Sequence, residues 1–435
     1  MRPGAATVGA VRAAALLLGA AGLAATLWHG LAEPGNALAF GTLIALGELA
    51  RRDARPGPWA PPVPAAPRGR EPAPVAAAAA LAYALLGADA GTPTTHGVLQ
   101  ITAVVCAGGL AGIVPHIARG RARGGDRGPD PDHLARRVLT VGFAALCFQP
   151  LYNTGALTGH LGTGAPYVLF LLLVLVLTGL CDAVLAALLL RARTAYPYGP
   201  LLRDELRGLL GIGSAVCATG VVMALGVAAA GLWALPVLAV PLLLTQVSYR
   251  RYETVRTVNR QTIASLARAT EIAGCTPPGH ARRVAALATA VGRELGLGGS
   301  ELTVLEYAAL MHDIGQLSLV DPVPGGATAP LPAEDQRRIA LLGGEVVRMT
   351  GAPAAVAHVV ERQADPYREQ PLPARIVRTV NAYDDLAGEG AGAALEALET
   401  LRLGTARDHH PEVVAGLARV LARDGLPGVT SVPTG

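Results

Sequence analysis

The chain has 435 residues, of which 51% are apolar and only 16% charged, and its formal net charge is +4. A soluble protein carries about a quarter charged residues, so composition argues against a wholly soluble chain, and so small an excess of basic charge argues against a nucleic-acid polymer as partner. The five cysteines (Cys106, Cys147, Cys181, Cys217 and Cys275) show no CxxC or other metal spacing, so neither a cysteine-based metal site nor a disulfide framework is implied.

The charge is unevenly spread. Residues 1–249 hold 17 arginines and 11 acidic residues, whereas 250–435 hold 19 and 21. That is the profile of a membrane domain followed by a soluble one. Apolar runs lie near 10–30, 36–50, 74–90, 97–118, 135–153, 165–190, 207–230 and 233–248. Crossing a bilayer takes about 20 mostly apolar residues, and the expected count over 1–248 is eight spans, the second, third and eighth being short or alanine-rich. Under that count the connections near 31–35, 91–96, 154–164 and 231–232 contain no arginine, while the alternate ones hold all the loop arginines. Basic residues concentrate on the cytoplasmic side. Both termini are therefore expected in the cytoplasm of a bacterial-type, multi-pass membrane protein.

Within this half, Asp182 lies in "LVLVLTGLCDAVLAALLL" with no basic partner inside the run. A structural role or helix pairing fits it better than a transport relay. His29, His96 and His160 fall on the outer side, where they either bind an external ligand or are simply solvated. The proline-rich stretch 58–74 reads as a cytoplasmic linker.

A connector helix is expected over 249–272. Val247, Tyr252, Val255, Val258, Thr262, Leu266 and Ala269 recur at helical spacing. Two readings stay open: a surface helix packed on its own domain, or a parallel homodimer contact that passes a signal from the membrane.

From about 260 to 425 the pattern is all-α. Leu287, Ala290, Val291, Leu295 and Leu297 form one stripe, and Leu302, Leu305, Ala309 and Leu310 another, with Ser300 as the expected N-cap. Residues 426–435 are a tail. His280 opens a helix behind two prolines in "PPGHARRVAALA", and His312 and Asp313 end the apolar run "YAALMHDIG". Adjacent helical residues point about 100° apart, so this pair converges only where a helix ends. Imidazole nitrogen with carboxylate oxygen suits a divalent Fe, Mn, Zn or Mg ion.

These segments resemble the HD superfamily of metal-dependent phosphohydrolases, and within it the HD-GYP branch associated with cyclic di-GMP hydrolysis. "EIAGCTPPGHARRVAALA" is similar to the opening segment, "LEYAALMHDIGQLSL" to the signature helix, "LPARIVRTVNAYDDLAG" to a late helix and "HHPEVVAGLARVL" to the closing one. The resemblance implies a helical HD bundle in which His280, His312 and Asp313 hold a metal, His312 and Asp313 being catalytic. It places Glu271 as a further ligand, and Asn381 where the family has its late metal-binding aspartate. Asp384, one turn on, is a substitute for that aspartate. The implied ligand is a phosphate ester or cyclic nucleotide, with Arg282, Arg283 or Arg378 steering an anion. The chain departs from the branch at Gln316, where members carry lysine. It has no histidine between Asp313 and His358, and "VVERQADPYREQPLP" stands where a His-His-Glu stretch and a Gly-Tyr-Pro loop belong. His358 and the His409-His410 pair read as packing or surface residues. Two functions follow as expectations: a membrane-anchored phosphodiesterase-like hydrolase, or an inactive HD-fold signalling or scaffold protein coupled to a membrane sensor.

Overall fold

The computed structural model describes residues 3–50, 73–122, 131–162, 164–194, 196–321, 323–387 and 391–424. The proline-rich linker lies mostly outside these residues, as does the C-terminal tail. The chain divides into two compact units, the first ending at Glu253 and the second beginning at Thr254.

The first unit contains α1 (Pro3–His29), α2 (Pro34–Leu49) and α3 (Pro74–Ala84). A two-residue hairpin follows, β1 (Ala88–Asp89) against β2 (Thr92–Pro93). Then come α4 (Val98–Ala122), α5 (Pro131–Asn153), α6 (Ala156–Leu161), α7 (Ala165–Thr194), α8 (Tyr198–Gly208) and α9 (Ser214–Ala230), and α10 (Ala234–Ile272) begins here. Among the described residues, five helical stretches are long and apolar enough to cross a membrane: Gly4–His29, Val98–Pro115, Asp132–Asn153, Ala165–Thr194 and Ser214–Ser248. The last is interrupted at Gly231, whose φ is +73°. A side chain at Gly226 would lie 2.6 Å from Leu238, so the chain turns back there, and the seventh and eighth apolar runs form separate helices.

The third run forms only the 11-residue α3, about 16 Å long at 1.5 Å per residue. It is buried on every side, which suits an apolar helix without a polar face. Its alanines let neighbours approach closely: a Cβ on Gly47 would meet the Ala76 backbone at 2.5 Å, and one on Gly220 the Ala78 carbonyl at 3.1 Å.

Two sequence readings change here. Asp182 does have a basic partner, because Arg136 Nε lies 2.9 Å away and the Thr140 hydroxyl donates to it at 3.3 Å. Arg136 sits within α5 rather than in a loop, one or two turns inside the helix start. His96 is buried, not solvated; its Nδ1 meets Glu33 at 2.9 Å and its ring stacks on Tyr83 at 4.7 Å. His29 and His160 are exposed.

The second unit takes in the end of α10 and then α11 (His280–Glu294), α12 (Gly299–Met311), a 3-10 turn at Ile314–Ser318, α13 (Ala333–Met349), α14 (Ala354–Arg362), α15 (Leu372–Ala387), α16 (Ala391–Leu403) and α17 (Pro411–Asp424). One apolar core joins them, built on Val284, Val291, Leu305, Met311, Val360, Val377, Val380 and Leu417. On α10 the buried residues of that core are Ile263 and Ala267, and of the expected stripe Leu266 packs against it. Val255 and Val258 stay 58% and 51% exposed, and the side chain of Tyr252 lies outside what is described. The N-cap of α12 is Gly298 rather than Ser300, with the Glu301 carboxylate accepting the Gly298 N–H at 2.9 Å.

The glycine of "HDIG" has a packing reason. A Cβ at Gly315 would sit 2.1 Å from the Ile339 carbonyl and 2.7 Å from the Gly343 nitrogen, because α13 lies directly on the 3-10 turn. Gly315→Ala is expected to destabilise the second unit by about 1–3 kcal/mol through overpacking, measurable as a lower thermal midpoint of the full-length protein.

Candidate metal centre

Three local structures bring the candidate ligands together. Pro277, Pro278 and Gly279 form a turn in which Gly279 takes φ +77° as N-cap, so His280 enters at the first helical position, where an unsatisfied N–H is expected anyway. His312 is the C-cap of α12, and Asp313 has already left helical geometry at φ −100°, ψ 4°. The adjacent pair converges because the helix ends between them. Asn381 projects from α15 on the opposite wall.

His280 Nε2 and His312 Nε2 lie 3.3 Å apart. Asp313 Oδ2 is 3.3 Å from the first and 3.1 Å from the second, and Asn381 Oδ1 is 2.9 Å from His312 Nε2. Metal–nitrogen and metal–oxygen bonds of about 2.0–2.2 Å place neighbouring ligands roughly 3–3.4 Å apart, so these separations are compatible with four donors to one ion. Asp313 Oδ2 is buried without a hydrogen-bond partner even though two imidazoles face it. Buried polar atoms are normally hydrogen-bonded, so an oxygen that only faces two imidazoles suits a cation. His280, His312, Asp313 and Asn381 are 1%, 1%, 4% and 7% exposed. Among the described residues, the first three form the group of His and Asp that could hold an ion.

The tautomers agree with that reading. His312 Nδ1 donates to the Ala309 carbonyl at 2.9 Å, and His280 Nδ1 donates to Asp384 Oδ2 at 2.7 Å. Each neutral ring then offers its Nε2 lone pair to the centre. The Asn381 amide nitrogen donates to Thr328 Oγ1 at 3.0 Å and faces Asp385 Oδ2 at 3.5 Å. The Thr328 hydroxyl in turn donates to Asp313 Oδ1 at 3.3 Å. Thr328 and Asp385 thus turn the Asn381 oxygen inward, toward the His312 ring. Asn381→Asp is expected to tighten Mn²⁺ binding by on the order of tenfold, since ligand charge sets affinity at such sites; a Mn²⁺ titration of the full-length variant checks it.

Burial opposes ionisation of His280, but the nearby Asp313 and Asp384 carboxylates more than offset it and push the imidazole up to about 10. Burial likewise opposes charge on His312, and the Asp313 carboxylate still raises it. Burial would raise Asp313, yet the two imidazoles hold it well below the usual carboxylate range. Asp385, mainly through burial, is raised.

The other residues singled out from sequence lie elsewhere. Asp384 reaches the far nitrogen of His280 and not the centre. Glu271 lines a small cleft with Arg268, Ala281 and Arg282 and is not in the convergent group. Arg283 is held by Asp384, and Arg378 donates to the Asp365 carbonyl at 2.8 Å. Gln316 is buried and donates to the Gly326 carbonyl at 3.3 Å. His358 is exposed. His409 approaches the Thr379 hydroxyl at 3.4 Å and, chiefly through burial with a contribution from Arg378, is driven down to about 4. His410 packs edge-on to Tyr367.

Sequence reasoning missed Thr328, Gln363 and Asp385. Gln363 donates to the His312 carbonyl at 2.8 Å, fixing the end of α12. Asp385 was legible in principle, since it stands four residues after Asn381 and so on the same helix face. Thr328 lies in a loop, where periodicity carries no signal.

Residues 279–385 match the HD domain family. The chain is also similar to the cyclic di-GMP phosphodiesterase response regulator RpfG of Xanthomonas campestris pv. campestris (strain 8004). Identity is 30% over 147 residues, covering 29% of this chain and 38% of that protein. The chain therefore spans well under half the length of this relative.

Proposed function

We propose, starting from the HD domain at residues 279–385, that this protein is a membrane-anchored, metal-dependent phosphohydrolase acting on phosphodiesters, in the manner of the cyclic di-GMP phosphodiesterase it resembles. The observation that carries the reading is the convergence of His280 Nε2, His312 Nε2 and Asp313 Oδ2, with Asp313 Oδ2 buried between the two imidazoles and without a hydrogen bond. Asn381 Oδ1 supplies a fourth, uncharged donor. A divalent ion held there would neutralise phosphate charge and make water a usable nucleophile near neutral pH. The chain's own contribution is orientation: both rings are fixed through Nδ1, Asp313 is held by Thr328, and Asn381 is held by Thr328 and Asp385. Asp385, whose carboxyl burial favours in the protonated form, is a group able to retain a proton 3.9 Å from His280 Nδ1.

The test is metal content and turnover of the full-length protein, using a generic phosphodiester and cyclic di-GMP. Stoichiometric metal with turnover of either supports the reading, and absence of both sinks it.

A second reading has its own support. The Gln316 amide, at the position of the family's lysine, is occupied by the Gly326 carbonyl, and the donor atoms are nearly inaccessible. These features favour a domain that binds metal and signals without turnover; stoichiometric metal with no hydrolysis would select it.

The first unit is proposed to span the bilayer with both termini and the HD domain cytoplasmic, on the strength of the loop-arginine asymmetry, although the 11-residue α3 is too short to be one of eight full crossings. Reporter fusions after residues 70 and 160 should then lie on opposite sides. The exposed Val255 and Val258 on α10 support a homodimer contact along the connector helix.

A further inference from the structure

The far side of the His280 ring is as ordered as the side that faces the centre. Asp384 Oδ2 accepts from His280 Nδ1 at 2.7 Å. The same carboxylate takes a two-pronged contact from Arg283, with Nε at 3.0 Å from Oδ1 and Nη2 at 2.8 Å from Oδ2. Arg283 also donates through Nη1 to the Pro278 carbonyl at 3.0 Å, in the turn that delivers His280. Two helices, α11 and α15, are thus tied together behind one ligand ring.

The chemistry of this contact is directional. A neutral imidazole has one N–H, and a carboxylate only accepts, so Asp384 draws that proton onto Nδ1 and leaves Nε2 free for the centre. Arg283 only donates. Were Asp384 absent, the guanidinium would favour a lone pair on Nδ1 and so a proton on Nε2, which blocks coordination. Paired forks of this kind fix a carboxylate in plane as well as neutralising it.

We propose that Asp384 is a positioning residue and not a metal ligand: it fixes His280 in the tautomer that presents Nε2, and Arg283 fixes Asp384. The inference rests on the metal-centre reading above. Its consequence is that the residue one turn past Asn381 serves the site from behind rather than replacing the asparagine.

The experiment is Mn²⁺ titration of the EDTA-stripped full-length protein in nanodiscs, read by electron paramagnetic resonance, with thermal midpoints recorded in parallel. Asp384→Ala should weaken Mn²⁺ binding by about 10–100-fold, the usual effect of removing a carboxylate behind a metal-bound histidine. Asp384→Asn keeps an acceptor oxygen for Nδ1–H and should recover most of that loss. Arg283→Met should weaken binding severalfold, because Asp384 is then free to swing. The proposal is overturned if Arg283→Met binds more tightly, which would mean that a released Asp384 ligates the ion itself. It is overturned equally if Asp384→Ala matches wild type, or if Asp384→Asn is as weak as the alanine variant. Should the alanine variant melt early, the asparagine and Arg283 variants decide the matter. Wild-type protein that takes up no Mn²⁺ would instead remove the metal reading itself.

Discussion

Asp313→Ala is expected to abolish stoichiometric divalent metal and to bring any phosphodiester hydrolysis to background. Asp313 is the formally charged member of the convergent set, and its Oδ2 is the atom equidistant, within a few tenths of an ångström, from both imidazoles. The substitution has a second effect in the metal-free protein. It leaves His280 and His312 facing one another at 3.3 Å with no carboxylate between them, and breaking such a buried pair costs about 3–5 kcal/mol. Loss of activity by itself is therefore not decisive. The decisive measurement is the Mn²⁺-induced rise in thermal stability, which for a site-specific ligand reaches about 2.7 kcal/mol at 100 times Kd. Wild type should show it and the variant should not. A variant that is still stabilised by Mn²⁺ would relocate the site.

The pH response of the stripped protein is the second large expectation. The His280 imidazole rises from 6.5 to about 10 in the folded state. A group whose folded value is raised gives its full stabilisation below the unfolded value and loses it as pH climbs through the folded one. EDTA-treated protein should therefore lose stability progressively between about pH 6.5 and 10, by a few kcal/mol in all, because each tenfold gain in proton affinity on folding is worth about 1.4 kcal/mol. Asp313 and Asp384 are depressed, so their contribution is present above the ordinary carboxylate range and fades only in acid. Mn²⁺ competes with the imidazole protons, and its affinity should rise with pH over the window in which the stripped protein weakens. Thermal midpoints from pH 6 to 9.5, with EDTA and with Mn²⁺, would show two diverging curves. Stripped protein as stable at pH 9 as at 6.5 would contradict the assignment.

Much of this is readable from the residues. The all-α pattern comes from helical periodicity, and the two units from the uneven distribution of charge. His280, His312 and Asp313 stand out because prolines ahead of one and a helix end at the others leave few packing reasons for those residue types. The relationship of Asn381 to the site follows from its place in a familiar segment. What is not readable has physical causes. Periodicity identifies an apolar face without saying which partner covers it, so the buried stripe of α10 falls on Ile263 and Ala267 instead of the valines. Hydropathy does not tell an enclosed helix such as α3 from one facing lipid. Partners distant in sequence are invisible, which is why Asp182 reads without Arg136 and His96 reads as solvated. Asp384 reads as a ligand because helix register alone does not reveal that His280 reaches it through the opposite ring nitrogen.

The anchoring of both imidazoles at Nδ1 has a kinetic meaning. Neither ring must search rotamers when an ion arrives, so little ordering entropy opposes capture. The residues that carry the donor atoms are also almost fully buried. Entry and exit of an ion would then require local opening of the domain, and exchange would be governed by opening rather than by intrinsic affinity. The ion a given molecule carries would reflect what was available as the domain closed around it, a record of supply during folding more than of competition afterwards.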